Sequence, residues 1–275
     1  MNIKGKVHHF GLTHPGRVRE LNEDALETDL EYGIAVLADG MGGYNAGEIA
    51  SEITVRTVVE MVKAGLNKLE KTGQVDPETG FTWESIVLRD SVARANKIVY
   101  QTANSKEEYQ GMGTTVVACL FFDNRVSIAH VGDSRCYRLR GTQFEQLTTD
   151  HSLLQELVSR GFYTKEEAAR SLNKNYVTRA IGVDHSVEID ILEDIAHVGD
   201  IFLMCSDGLS DMLEDEDIEL TISTFSDNLN TAAEQLIQLS NEHGGRDNIS
   251  VSLLQVEKSF GAKKKFFDRF VSWFN

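Results

Sequence analysis

Five aspartates in this sequence stand beside glycine or another small residue, close to apolar, strand-like runs. They lie in the segments NED, ADGMGG, VGDSR, CSDGL and GGRDN, as Asp24, Asp39, Asp133, Asp207 and Asp247. A carboxylate at the end of a buried strand sits on rigid backbone at the rim of a core, which suits a preorganised site. Each motif alone is more typical of a turn. The hypothesis of a shared site therefore depends on all five occurring together.

Carboxylates that are gathered in one place repel one another and need a compensating charge. Oxygen ligands alone favour hard divalent cations such as Mg²⁺, Mn²⁺ or Ca²⁺ over zinc or copper. Two such ions sharing one carboxylate can generate hydroxide at neutral pH and clamp a phosphoryl group. Gly40, directly after Asp39, would let a backbone carbonyl approach a metal without a side chain in the way. The pattern predicts a metal site suited to phosphoryl chemistry.

The elements that must position these acids follow from the hydrophobic pattern. Apolar residues at helical spacing predict helices over about 46–66, 83–104, 151–170 and 229–243. Apolar runs predict strands at 33–40, 187–194, 200–208 and 249–256. The run 114–139 predicts two strands that form a hairpin at Asp123 and Asn124. Strands and helices come in runs rather than in alternation, which favours an α+β layered domain.

Composition excludes several classes of protein. The chain has 275 residues, 41% of them hydrophobic, which is enough for one large domain or two small ones. Its net charge of -16 argues against a nucleic-acid-binding protein, which normally presents a basic face. The odd number of cysteines indicates neither a disulfide framework nor a zinc site, and we expect them to be buried in a reducing cytosol. We expect no secretory signal and no membrane-spanning helix.

Eight motifs in one order resemble the PPM family, the metal-dependent type 2C serine/threonine protein phosphatases, in its bacterial branch. The resemblance covers roughly residues 5–257. It rests on R-x-x-N-E-D at 19–24, ADGMGG at 38–43, GMGTT at 111–115, VGDSR at 131–135, TTDHS at 148–152, TRAIG at 178–182, CSDGL at 205–209 and GGRDN at 244–248. The implied fold is a four-layer α-β-β-α sandwich, in which two antiparallel sheets are flanked by helices and the metals lie in a channel between the sheets.

The resemblance also implies a role for each acid, with Mn²⁺ or Mg²⁺ as two core ions. Asp39 matches the acid that bridges both ions, and Gly40 matches the carbonyl ligand of the second. Asp207 and Asp247 match the remaining carboxylates of the first ion. Asp24 matches an acid that holds the second ion through water.

Two further residues match parts of the catalytic machinery. Asp133 matches the acid that forms, with Asp207, a weaker third metal site in bacterial members. Arg19 matches the arginine that holds the substrate phosphate, and its planar fork suits that task better than lysine. The implied reaction is hydrolysis of phosphoserine or phosphothreonine by a metal-bridging hydroxide, without a phosphoenzyme. Met41 replaces a histidine that is thought to protonate the leaving group in animal relatives, so the general acid is unassigned, and metal-bound water is our interpretation.

The segment 149–178 resembles the flap beside the channel, which influences substrate access in relatives. SLNKN at 171–175 replaces their His-Pro-x-x-Asn, so the resemblance says less about flap geometry and substrate preference than about the core. Thr164 and Glu167 fit a capping box, which predicts a short helix after a turn. We expect His151, in TTDHS, to be structural.

The chain therefore divides into an expected phosphatase domain at 1–258 and a tail at 259–275. The tail places basic residues beside an aromatic stripe over 262–275. This pattern fits a helix at a membrane surface, a helix docked on its own domain or a partner, or a disordered segment, and the three alternatives stay open. Fourteen residues cannot span a bilayer.

The favoured function is an active phosphatase in a bacterial cytoplasm, either free there or peripheral at the inner membrane face through the tail. It would be a monomer that acts on phosphorylated proteins and opposes a serine/threonine kinase, without binding nucleic acid. Two alternatives are an inactive binding module of the same fold and an unrelated cation-binding protein. The intact acids and Arg19 argue against the first, and the absence of a D-x-D-x-D-G loop argues against the second.

Overall fold

The computed structural model describes residues 3–43, 46–164, 167 and 176–262. Over these residues the chain forms eleven strands. They are β1 (Val7–His14), β2 (Asp24–Asp29), β3 (Ile34–Met41), β4 (Gly113–Thr114), β5 (Val116–Phe122), β6 (Arg125–Val131), β7 (Arg135–Arg140), β8 (Gln143–Gln146), β9 (Asp190–Ile195), β10 (Ile201–Cys205) and β11 (Ile249–Val256). The helices are α1 (Ala46–Leu66), α2 (Trp83–Ala103), α3 (Leu153–Ser159), α4 (Asp207–Ser210), α5 (Asp215–Thr224) and α6 (Leu229–Glu242), with a 3₁₀ turn at Glu107–Tyr109.

The strands form two antiparallel sheets. The first has the order β1-β11-β10-β7-β8, and the second has the order β2-β3-β5-β6-β9, with β4 paired to β3. One hydrophobic cluster lies between the sheets and draws side chains from both, including Phe121 of β5 and Phe202 of β10. The sheets are therefore packed face to face, as expected for a sandwich.

Two further clusters join helices to the outer faces. α1 and α2 pack on the second sheet, through residues such as Val58 and Val92. α4, α5 and α6 pack on the first sheet, through residues such as Leu236. β5 is buried on both faces, which explains its unbroken apolar sequence VVACLFF. The predicted α-β-β-α fold class is confirmed.

Several element predictions match the structure. The helices predicted over 46–66, 83–104 and 229–243 correspond to α1, α2 and α6. The predicted hairpin joins β5 to β6 through Asp123 and Asn124, whose φ values of 44° and 56° match the left-handed turn that hairpin twist requires. The cysteines are free and buried, as expected.

Other predictions need correction. The run 114–139 contains a third strand, β7, which pairs with β10 in the opposite sheet rather than extending the hairpin. The chain changes sheets at Gly132, whose φ of 109° redirects the backbone. In the stretch predicted helical over 151–170, α3 ends at Ser159 and a turn follows, with most residues after 164 outside the described part. α4 and α5 were not predicted, because their apolar residues are too few to show a helical period.

The described end of the chain lies against the β5–β6 turn. Ala262 N–H donates to Asp123 Oδ1 at 2.6 Å, and Phe260 N–H donates to Asn124 Oδ1 at 2.6 Å. The prediction for a basic-aromatic tail falls on residues 263–275, outside the described residues. Within the described part of the chain, no helix has the length and apolar character that crossing a membrane requires.

Candidate metal centre

The five predicted aspartates lie at one end of the sandwich. Asp24 opens β2 and is in register with Asp39 on the neighbouring β3. Asp207 lies two residues after β10 and begins α4, and Asp247 precedes β11 by two residues. Asp133 lies between β6 and β7, where the chain passes from one sheet to the other. Because both sheets contribute, the carboxylates face one another across the open edge of the core.

The acids strongly perturb one another. Burial raises the pKa values of the Asp39 and Asp207 carboxyls well above the usual range, and neighbouring acids, Asp24 and Asp133 among them, raise them further. The pKa of Asp24 rises to about 6, chiefly through burial, against the lowering effect of its hydroxyl donors. The pKa of Asp133 also rises to about 6, through burial and the charge of Asp150. Such a group is poised to bind a cation.

The donor set fits divalent cations. Asp24 Oδ2 accepts hydrogen bonds from Ser206 Oγ at 2.9 Å and Ser250 Oγ at 2.6 Å. Its Oδ1 is buried and has no hydrogen-bond partner among the described residues. A buried carboxylate oxygen without a partner is costly unless a ligand satisfies it. The available ligands are all oxygens, which suits Mg²⁺ or Mn²⁺.

The GMGTT motif at 111–115 positions Asp39. Thr115 Oγ1 accepts the Asp39 N–H at 3.1 Å, and Thr115 N–H donates to Asp39 O at 2.8 Å. Thr114 Oγ1 donates to the same carbonyl at 2.7 Å. Thr115 Oγ1 also bonds Ser134 Oγ at 2.6 Å, beside Asp133. No role was predicted for these threonines, and their GMGTT motif is the feature of the sequence that marks them as part of the site.

Gly40 has a packing reason to be glycine. A Cβ at this position would lie 2.2 Å from Gly47 O at the start of α1 and 2.6 Å from Glu23 O. Real Cβ contacts are not this short, so β3 and α1 approach too closely for any side chain.

Arg19 reaches the same edge from an exposed loop. Its Nη2 donates to Asp247 Oδ2 at 2.7 Å. That hydrogen bond, with the charge of nearby acids, raises the pKa of Arg19 and keeps the guanidinium charged. The structure therefore brings all seven predicted site residues to this edge.

Asn248, which the sequence analysis overlooked, ties the Arg19 loop to β11. Asn248 Nδ2 donates to Pro15 O at 3.1 Å and Leu21 O at 2.8 Å. Asn248 Oδ1 accepts the Glu23 N–H at 2.8 Å. Its position in the GGRDN motif, directly after Asp247, is the feature of the sequence that could have identified it.

A cavity of about 490 Å³ opens beside Asp133 and Asp207. Its other walls come from the start of the flap segment, α3 and the α4–α5 region. In the flap, the predicted capping box is present: Thr164 N–H donates to Glu167 Oε2 at 2.8 Å, and Glu167 N–H donates to Thr164 Oγ1 at 3.2 Å. The SLNKN segment lies outside the described residues.

A second group of metal-ligand types lies at the base of the flap. His130, His151 and Asp190 each offer one atom, and these atoms lie within 4.8 Å of one another. No sequence motif joins His151, which is expected to be structural, to the other two residues.

Comparison with known proteins places this geometry in a family. A model described as protein phosphatase 2C matches residues 14–244. The serine/threonine phosphatase stp of Listeria monocytogenes is 38% identical over 246 residues, covering 88% of this chain and 93% of the relative. The structure of the serine/threonine phosphatase PstP/Ppp of Mycobacterium tuberculosis has a TM-score of 0.81 at 33% identity, covering 91% of this chain and 99% of that one.

A further structure bears on the cofactor. The catalytic domain of the phosphatase PstP, in complex with two manganese ions, has a TM-score of 0.77 at 32% identity, covering 90% of this chain and 97% of that one. The oxygen-only donor set at this chain's site is also suited to manganese. This chain belongs to the protein phosphatase 2C family and is a metal-dependent serine/threonine phosphatase of its bacterial branch.

Proposed function

We propose that this chain hydrolyses phosphoserine and phosphothreonine in proteins at the edge where the five aspartates meet. The observation that carries the proposal is the convergence of these acids from both sheets. We assign Asp39 as the residue that would hold both divalent ions, and the Gly40 carbonyl as a further ligand of the second. Asp207 and Asp247 would complete the ligands of the first ion, and Asp24 would hold the second through water.

Asp133 and Asp207 hold a weaker third ion in this assignment. When bound, Mn²⁺ or Mg²⁺ supplies Lewis acidity that activates water and neutralises charge on the phosphoryl oxygens. The hydroxyl donors on Asp24 and the backbone bonds on Asp39 hold these carboxylates in place before any ligand arrives. This preorganisation limits the reorganisation that binding requires.

Arg19 binds the substrate phosphate in this proposal. Its hydrogen bond to Asp247 engages Nη2, and the guanidinium has other N–H donors that can face the phosphate. Asp247 thus sets the orientation of the arginine that binds and orients the phosphoryl group. Met41 offers no proton, so the leaving alkoxide takes its proton from water.

The cellular setting is part of the same proposal. The enzyme acts as a cytoplasmic monomer on phosphorylated proteins and opposes a serine/threonine kinase. Residues 1–258 form its phosphatase domain, and 259–275 form a tail that contacts the inner membrane face, its own domain or a partner. The names of the relatives support the substrate class.

The test is hydrolysis of p-nitrophenyl phosphate and a phosphothreonine peptide with Mn²⁺, with Mg²⁺ and with excess EDTA. We expect turnover of both substrates that EDTA abolishes. Asp39→Ala and Asp207→Ala should each remove turnover while the circular dichroism spectrum stays native. Near-normal activity in either variant would contradict the site assignment. Metal binding by calorimetry without turnover would instead indicate an inactive binding module.

A further inference from the structure

The cluster at the base of the flap contains His130 on β6, His151, Asp190 on β9 and Arg179. The two imidazole rings stack with centroids 4.6 Å apart and an interplanar angle of 24°. His151 Nε2 lies 3.4 Å from Asp190 Oδ2. Arg179 Nη1 donates to Asp190 Oδ1 at 3.0 Å. All four residues are therefore held by one another or by the backbone.

The hydrogen bonds argue against a metal at this cluster. His151 Nδ1 accepts the Gly132 N–H at 3.1 Å, which leaves the ring proton on Nε2, facing Asp190. His130 Nε2 is bonded to Thr149 O at 2.9 Å. Arg179 Nη1 also lies 3.4 Å from His151 Nε2. A cation would have to displace a ring proton and approach the guanidinium charge.

His151 instead makes hydrogen bonds to both the N–H and the carbonyl of Gly132. Its backbone N–H donates to Gly132 O at 2.9 Å, and its ring accepts the Gly132 N–H. Gly132 has a φ of 109°, and a Cβ there would lie 2.6 Å from Thr115 Cβ. The residue directly before Asp133 is thus clamped between His151 and Thr115.

The same histidine joins the two ends of the flap segment. His151 O accepts the Thr178 N–H at 2.8 Å. In the next positions Ser152 bridges Val177, and Leu153 N–H donates to Tyr176 O at 2.9 Å. His151 is only 6% exposed, so these contacts exclude most water. His151 therefore holds both the base of the flap and the residue before Asp133.

We infer that His151 is a positioning residue for Asp133: its Nδ1 orients the Gly132 peptide and, through it, directs the Asp133 carboxylate towards Asp207. This inference rests on the proposed function, which assigns those two acids to the third metal site. Partners behind metal ligands commonly set ligand orientation and metal affinity. The orientation of Asp133 depends on a hydrogen-bond acceptor at the position of Nδ1, and not on the imidazole ring as a whole.

The test compares two amides at one position. In His151→Asn, Oδ1 takes the place of Nδ1 and can still accept the Gly132 N–H. In His151→Gln, the amide lies nearer the place of Nε2 and cannot. We expect His151→Gln to weaken the third Mn²⁺ site roughly tenfold or more in calorimetry, with the two core sites kept. The Mn²⁺ concentration for half-maximal turnover should rise in parallel, as in Asp133→Asn, and His151→Asn should restore both.

The second variant is Asp190→Asn. It removes the negative charge that faces His151 Nε2 and leaves the hydrogen bond from Gly132 N–H to His151 Nδ1 intact. We expect it to bind Mn²⁺ like the wild type. Equal behaviour of His151→Asn and His151→Gln, or loss of the third site in Asp190→Asn, would overturn the inference. A wild type that binds Mn²⁺ but does not turn over would contradict the proposed function alone, since calorimetry still compares the variants.

Discussion

Asp24 and Asp39 occupy paired positions on neighbouring strands, and Asp24 is buried while Asp39 is half-buried. Their raised pKa values come from burial first and from neighbouring acids second for Asp39, while hydroxyl donors partly offset burial for Asp24. At the scale of single residues, the site is thus a set of carboxylates whose charge is costly until a cation binds. The residues that position these acids through hydrogen bonds are therefore part of the site as well.

Asn248 gives a prediction at this scale. Asn248→Ala removes two donated hydrogen bonds and one accepted bond that hold the 15–23 loop. We expect a loss of about 2–3 kcal/mol in the free energy of unfolding, measured in urea with Mn²⁺ present. The kcat/KM for a phosphopeptide should fall as well, because the loop carries Arg19.

Asn67→Ala is the matched control, since Asn67 is exposed and its side chain donates one hydrogen bond, to the Tyr32 hydroxyl. It should change stability by less than about 0.5 kcal/mol and leave kcat/KM unchanged. If Asn248→Ala behaved like this control, Asn248 would not be what anchors the loop.

At the scale of elements, the junction of β3 with α1 shapes the metal centre. β3 carries Asp39 and Gly40, and α1 begins five residues after its end. The helix approaches so closely that Gly47 O occupies the space of a Gly40 side chain. Asp39 therefore sits where a strand and a helix are in backbone contact, which leaves little room for movement.

Gly40→Ala tests this junction. The added methyl would meet backbone oxygens at 2.2 and 2.6 Å, so β3 and α1 must separate. We expect a loss of about 1–3 kcal/mol in the free energy of unfolding, with turnover reduced strongly even where the protein is folded. Thermal unfolding and a Mn²⁺-dependent phosphatase assay measure the two effects.

Gly43→Ala is the control for glycine loss in the same motif. No described atom lies within 4 Å of a Cβ at Gly43, so we expect near-native stability and turnover. Equal damage in both variants would point to backbone conformation rather than to the close approach of α1.

At the scale of the whole molecule, the burial of these acids affects the free energy of unfolding. The two sheets close over carboxylates from both, so the metal-free fold carries uncompensated negative charge at one end. Half-buried His9 acts in the opposite sense, because desolvation lowers its pKa to about 4 and folding disfavours its charged form. A comparison of the wild type with a variant of one acid, both of which keep His9, therefore isolates the contribution of that acid to the pH dependence of stability.

Asp24→Asn gives that difference. The folded-state pKa of Asp24 is about 6, against 3.8 in the ordinary state, so its favourable contribution is present below pH 4 and is lost as pH rises through 6. In EDTA at pH 7.5 we expect the variant to exceed the wild type by up to about 3 kcal/mol, and the gap to close towards pH 4. Urea unfolding at several pH values measures it.

With Mn²⁺ at pH 7.5 the order should reverse, because only the wild type keeps the carboxylate for the metal. A gap in EDTA that widened towards acid pH would contradict the assigned direction of the Asp24 pKa.

Much of the site was predictable from local sequence. The glycines and small residues beside each aspartate, the apolar runs before them and the order of the motifs indicated a metal-dependent phosphatase in a layered fold. Such signals are local because a strand's burial shows in its own residues, and a turn shows in its own glycines. The hairpin at Asp123 and the capping box at Thr164 follow from the same kind of signal.

Tertiary structure alone decided which distant residues support the acids. The crossing of β7 to the other sheet, the pairing of Arg19 with Asp247 and the grip of His151 on Gly132 join positions that no local pattern relates. These contacts depend on the order of strands in two sheets and on the path of the loops between them. Sequence determined which side chains could perform the chemistry, and the packing of the two sheets decided what holds them in place.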